Sequence, residues 1–366
     1  MDNRAIKTKR DSNLELYRII CMLMIVAHHY VVNSGMIDTG GPLDNQANGI
    51  KRLLLLLFGM WGKTGINCFM MITGYYMCTS KITVKKFLKL LSEIYLYNIL
   101  IYIVFLVFGF EYFSAKRIVM LLMPVWGIAS NFVSCFLVFY LTIPFLSILV
   151  KNMTKKQHML LLLLLLGCYS VLGSIPTFHV SLNYVTWFAV LFFAASFIRL
   201  YPHPFFKRRS IWGGLTILFI IMAMTSVIVM WMIGQDCYHF VDDSNKIFAV
   251  LVAISSFIWI KNVNIKQSKI INVIGGSTFG VLLIHANSNA MRKWLWCDVV
   301  DCIGHATLPM GKLLLFSLVV VISVFVVCNL VDQLRIIILE KPFFKWYDKS
   351  SLMKLEIKIE KWLTNR

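Results

Sequence analysis

An arginine and two histidines interrupt the first apolar run of the chain. From Leu14 to Val32 the segment is long and apolar enough to cross a bilayer, yet it carries Arg18, His28 and His29, which are costly inside a membrane. Imidazole titrates near neutrality, and it is the side chain most often used to take a hydroxyl proton. Arg18 and His29 lie eleven positions apart, an offset of roughly 1100°, about 20° past three full turns of a helix. They therefore share one face, separated by a rise of roughly 16 Å, with Arg18 near one membrane surface and His29 about halfway across. A guanidinium at the mouth and an imidazole at depth suit an anionic ligand that reaches inward. His28 points about 80° away from that face and is secondary. The ordinary role of a membrane histidine is a helix–helix hydrogen bond, and the register with Arg18 is what favours His29 as general base. Glu15, one turn before Arg18, is placed to pair with it.

Further polar residues stand inside other apolar runs. Lys63 lies in FGMWGKTGINCFMMITGYYM, where Gly59, Gly62, Gly65 and Gly74 allow close backbone approach or a break at membrane depth; it either faces a cavity or snorkels to the surface. His285 in STFGVLLIHAN could orient an acceptor hydroxyl or cap a neighbouring helix. Trp294 and Trp296, with Asp298, Asp301 and His305, give one loop the stacking rings and carboxylates that hold a sugar, although an interfacial aromatic belt has the same composition. Segment 79–90, TSKITVKKFLKL, reads as a short basic amphipathic helix lying on anionic lipid. Its Lys85, Lys86 and Lys89 could instead hold the phosphates of a nucleotide-bearing donor as point charges. Asp332 and Arg335, one turn apart, have the spacing of a structural ion pair. The nine cysteines show no metal-type spacing, so no metal site is expected; Cys237, Cys297 and Cys302 fall in loops where one disulfide could form in an oxidising compartment.

These residues need a membrane scaffold to position them. Of the 366 residues 59% are hydrophobic and 14% charged, with a mean hydropathy of +0.75, which is the composition of an integral membrane protein. We expect an all-α bundle of about ten transmembrane helices at 14–34, 53–77, 91–110, 131–150, 157–175, 181–200, 211–234, 245–261, 271–289 and 311–334. Residues 1–334 would form the membrane domain, and 335–366 a basic amphipathic cytoplasmic tail held at the lipid surface. The first run lacks a small-residue cleavage site and is expected to be retained. With both termini cytoplasmic, 26 of the 36 Lys and Arg fall on the inner side against 8 outside, Arg4, Lys7, Lys9 and Arg10 among the inner ones. The net charge of +19 thus follows the positive-inside rule and gives no reason to invoke nucleic acid. On these residues alone, a transporter or flippase of a glycan or lipid fits as well as an enzyme, and a second copy of the chain is an admissible partner.

The order of motifs resembles the membrane-bound acyltransferase-3 family, particularly its polysaccharide O-acetyltransferase branch. Arg18 and His29 match that family's Arg-x10-His signature, preceded by Asn13-Leu14-Glu15-Leu16. GKTGINCFMMITGYYM (62–77), NFVSCFLVFYLTIPFL (131–146), AASFIRLYP (194–202), STFGVLLIHAN (277–287) and LVDQLRIIILEKPFF (330–344) are similar to its later spans. The resemblance implies a ten-helix, multi-pass enzyme of the plasma membrane. Such an enzyme takes an acetyl or similar short acyl group from cytoplasmic acyl-CoA, with acetyl-CoA as the expected donor, and passes it to a hydroxyl of a surface polysaccharide or glycolipid. By position Arg18 would sit near the CoA entrance and His29 near the thioester, with His29 activating the hydroxyl and Arg18 aiding donor binding or stabilising charge in the reaction. Where family members often carry paired arginines this chain has KKFLKLLSE, with Lys86 and Lys89 in their place.

Overall fold

Every apolar run expected to cross the membrane is mainly helical, although 53–77 and 271–289 are each divided between successive helices. The structure, a computed structural model, describes residues 11–45, 48–128 and 131–364; Arg4, Lys7, Lys9 and Arg10 lie outside the described residues. Among these residues there are helices and loops and no strand. The elements that matter below are α1 (Ser12–Asn33), α2 (Gly49–Gly59), α3 (Gly62–Met77), α4 (Val84–Val107), α5 (Ala115–Leu122), α6 (Phe132–Asn152) and α7 (Lys155–Leu166). They continue with α8 (Tyr184–Leu200), α9 (Arg209–Met232), α10 (Ile247–Lys261), α11 (Lys269–Gly276), α12 (Thr278–His285), α13 (Asn289–Lys293), α14 (Cys302–His305), α15 (Met310–Arg335), α16 (Lys341–Tyr347) and α17 (Ser351–Thr364). The protein is an all-α integral membrane protein. Seven helical stretches are long and apolar enough to cross a bilayer, and up to eight if the pair Lys269–His285 and Asn289–Val299, bent by 96°, is one span. Tyr184–Leu200 and Ile247–Lys261 are apolar but shorter.

α1 and α3 form the centre. Gly59, Gly62 and Gly65 set their spacing: a Cβ at Gly62 would lie 2.3 Å from the His28 ring, and one at Gly65 2.8 Å from the Cys21 carbonyl. One core, including Tyr17, Met70, Phe139, Trp187, Phe192 and Phe257, joins α1 and α3 to α6, α8 and α10. A second, including Val26, Tyr30, Trp296, Val321 and Phe325, joins α1 to α15 and the 294–306 region. The outer faces of α9 and α15 present Ile217, Ile221, Leu318 and Ile322, side chains that suit lipid contact. All nine cysteines, Cys237, Cys297 and Cys302 included, are free.

One expectation changes at the Arg18 end. The segment 79–90 does not lie apart as an amphipathic helix: Thr83 caps α4 by accepting from the Lys86 backbone N–H, and the helix runs unbroken to Val107. Lys85, Lys86 and Lys89 therefore occupy its first two turns. The tail folds back onto those turns, with Lys85 Nζ 2.5 Å from Asp348, its backbone N–H donating to Glu356 at 2.8 Å, and Lys89 Nζ 2.6 Å from Glu340.

Beneath this contact lies a buried ionic clasp. Arg335 pairs with Asp332 at 2.7 Å, Glu340 at 2.8 Å and Glu93 at 3.2 Å, and the Tyr97 hydroxyl donates to Asp332 at 2.8 Å. An α-helix would turn a residue five positions on well away from Arg335. The π-helical turn over Ile336–Glu340 winds less per residue and returns Glu340 to the same side. Removing the guanidinium leaves Asp332 and Glu93 without their cation and Glu340 with Lys89 alone, and losing the cation of a buried pair costs about 3–5 kcal/mol. Arg335→Met is therefore expected to lower the thermal unfolding midpoint in detergent by several degrees or more, whereas Lys85→Met, at an exposed pair, should change it little. Equal midpoints for Arg335→Met and wild type would show that the clasp does not stabilise the bundle.

Candidate functional site

The site is built where α1 meets the end of α12. His29 lies four residues before the end of α1, about 6 Å along the axis, so it sits nearer that end of the bundle than its midpoint. His285 occupies the last turn of α12 and is fully buried. His29 Nδ1 is 2.9 Å from His285 Nε2, and His285 Nδ1 is 2.6 Å from the Val281 carbonyl. A carbonyl only accepts, so His285 carries its proton on Nδ1 and accepts at Nε2 when neutral. His29 must then donate from Nδ1. Its Nε2 keeps an unshared pair, and the ring borders a cavity. This is the arrangement of a base oriented by a second group from behind.

His28, the neighbouring imidazole, does something else. The helix breaks between Gly59 and Gly62, which frees the Gly59 carbonyl, and His28 Nδ1 meets that oxygen at 2.8 Å. The break starts α3 beside α1 and sets Lys63 on the cavity wall. Lys63 Nζ donates to the Tyr184 hydroxyl at 2.7 Å and lies 3.6 Å from Asp243. One helical turn deeper, Asn67 donates to the Ser244 carbonyl at 2.7 Å and accepts from Trp187 Nε1 at 2.9 Å.

The cavity holds about 390 Å³. Its floor includes Phe132 and Leu282, and its walls carry His29, Lys63, Arg117 and Arg292. Arg117 comes from α5, whose start is capped by Ser114, and pairs with Glu111 at 3.3 Å. Arg292 comes from α13, beyond the bend after α12, where Ser288 caps by accepting from the Met291 N–H at 3.1 Å. In the bend itself Asn287 donates to Asn98 at 3.0 Å, tying it to α4.

The acyltransferase domain family matches residues 11–331, from the start of α1 through most of α15. The chain belongs to the acyltransferase-3 family. It is a multi-pass membrane acyltransferase, and His29, Lys63, Arg117, His285 and Arg292 all lie within the matched region. Neither curated proteins nor solved structures give a match.

Within this acyltransferase fold the other candidates lie apart. Arg18 is far down α1, 3.8 Å from Glu15 and 5.7 Å from the centre of the Phe69 ring, and is not among the residues lining the cavity. His285 is behind His29 and not on the wall. Trp294 packs against Phe105 and Phe110, and Trp296 is buried against Tyr30. Lys85 and Lys89 face Asp348 and Glu340, and Lys86 Nζ donates to the Lys81 carbonyl at 2.6 Å. Among the described residues no group of three His, Cys, Asp or Glu could hold a metal. The sequence reading missed Arg117, Arg292 and Tyr184. Arg292 had a signal in Ser288-Asn289, a polar cap just past an apolar span, but nothing local in the sequence says that α5 returns to His29.

Side-chain 15N spectra test the proton assignment: His29 is expected as the Nδ1–H tautomer, and His285→Ala should shift it toward Nε2–H. A wild-type His29 protonated on Nε2 would refute the relay.

Proposed function

We propose that the chain transfers an acetyl or similar short acyl group from acyl-CoA to a hydroxyl of a surface polysaccharide or glycolipid, with His29 as the general base. The observation that carries this reading is the relay from the Val281 carbonyl through His285 to His29, which presents a basic nitrogen to a cavity large enough for a sugar unit. The acceptor oxygen attacks the thioester carbonyl while His29 Nε2 takes its proton. The C–S bond breaks, the imidazolium returns the proton to the departing thiolate, and an ester and free CoA result. His285 is a positioning residue in this scheme, because it touches His29 and not the substrate.

Orientation supports the same division of labour. The basic segments collect at the Arg18 end, which the positive-inside rule assigns to the cytoplasm, and the cavity is at the other end. Arg18 and His29 are separated by about 16 Å of helix, so Arg18 serves donor binding and does not touch the atoms that react at His29. Lys85, Lys86 and Lys89 reach donor phosphates only if they leave the carboxylates and the carbonyl they now face.

The test is acyl transfer by purified protein from labelled acetyl-CoA to extracted surface glycan. His29→Ala is expected to lower the turnover rate by about 10²–10⁴, the usual contribution of a general base. Arg18→Ala should chiefly raise the KM for donor. Wild-type turnover in His29→Ala would remove the imidazole from the mechanism, and transport of the glycan without any acetylation would replace the enzyme by a transporter.

A further inference from the structure

The cavity beside His29 carries more positive charge than a neutral sugar requires. Lys63 on α3, Arg117 on α5 and Arg292 on α13 converge on it from separate elements, and among the described residues no carboxylate lines it. Two of the three cations have counterions: Asp243 lies 3.6 Å from Lys63, and Glu111 3.3 Å from Arg117. Arg292 has none within ion-pair distance among the described residues. Its polar contact is the Asn289 side-chain oxygen at 3.4 Å, and its Nε is buried with no acceptor.

A half-buried guanidinium without a counterion is costly, and the cost falls when an anion arrives. Guanidinium groups suit carboxylate and phosphate oxygens, which they grip through two parallel N–H donors. The donor's own phosphates do not answer this charge, because the donor enters at the Arg18 end. Asn98, Asn131 and Ser134 on the same wall offer neutral partners for hydroxyls.

We propose that the acceptor is anionic: the hydroxyl that reacts at His29 is carried by a sugar or polyol unit bearing a carboxylate or phosphate, which Arg292 binds with Arg117. This rests on the transfer reading above, and it adds the chemical class of the acceptor. The charge then has two effects. It draws an anionic chain into the cavity, and it fixes which hydroxyl of the unit is presented to the imidazole.

The experiment uses the full chain in nanodiscs and two matched probe pairs, methyl glucoside with methyl glucuronide and glycerol with glycerol 3-phosphate. Binding is followed by tryptophan fluorescence, since Trp126 lines the cavity. At least one anionic probe is expected to bind about tenfold or more tightly than its neutral counterpart, as charge-assisted hydrogen bonds predict, and the pair that discriminates tells carboxylate from phosphate. Arg292→Gln should bring that ratio close to one, and Arg292→Lys should keep part of it; the lysine variant and the wild-type ratio decide the matter if the glutamine variant does not fold. Neutral probes that bind as tightly as both anionic ones would overturn the inference. The same probes are then offered with labelled acetyl-CoA. Transfer without anionic preference overturns the inference and leaves the proposed function standing; anion-selective binding without transfer overturns the proposed function, and with it the acceptor role, and leaves only an anion-binding cavity.

Discussion

A hydrogen bond between two imidazoles, on residues 256 positions apart, is the contact on which the site depends. It requires α12 to end beside the last turn of α1. It also requires His285 to be turned so that one nitrogen meets its own helix and the other meets His29. The Val281 carbonyl supplies the asymmetry: because it cannot donate, protons along the chain have one arrangement when both rings are neutral. A backbone oxygen thus orients the imidazole pair without adding a buried charge. The bend of 96° after His285 belongs to the same design, since it turns Asn287 and Arg292 toward the space in front of His29.

The rest of the bundle obeys the rule that polar groups at membrane depth must find partners within the protein. The break between α2 and α3 would strand the Gly59 carbonyl, and His28 answers it. Asn67 and Trp187 satisfy each other and the Ser244 carbonyl between α3, α8 and the segment before α10. Tyr17 lies 2.5 Å from Ser256 and 2.9 Å from Cys68, so α1 and α10 share a buried polar contact. Each of these bonds fixes the spacing of helices whose apolar faces alone would pack in several registers. Glycine makes the shortest spacing possible: at Gly62 any side chain would overlap the imidazole of His28.

The fold class and the candidacy of His29, which the structure places beside a cavity, were legible in the sequence because both rest on cost. Twenty apolar residues have few homes other than a bilayer, and a charged or imidazole side chain inside such a run needs a reason to be there. The same logic found Lys63 and His285, and the spacing of Asp332 and Arg335 found their pair. It was silent on direction. Nothing in STFGVLLIHAN says whether His285 faces substrate or supports another histidine, because that depends on the neighbour met in space. The lysines at 85, 86 and 89 look free in a one-dimensional reading, and their partners Asp348 and Glu340 come from the far end of the chain. Short loop elements were the least legible. The α5 helix has an ordinary serine cap and an ordinary arginine, and only tertiary structure carries that arginine to the cavity.

The ionic clasp also bears on the order in which the protein is made. Glu93 is synthesised and inserted with α4 long before Arg335 exists, because its cation waits at the end of α15. Until then the carboxyl must remain neutral or reach water, and α4 is held by its apolar contacts and not by this ion pair. Closure of the Arg18 end is therefore a late event in biogenesis, completed when the last long helix and the tail arrive together. A chain stopped before Arg335 carries the whole of the matched acyltransferase region, yet it leaves the buried Glu93 without the guanidinium that compensates it.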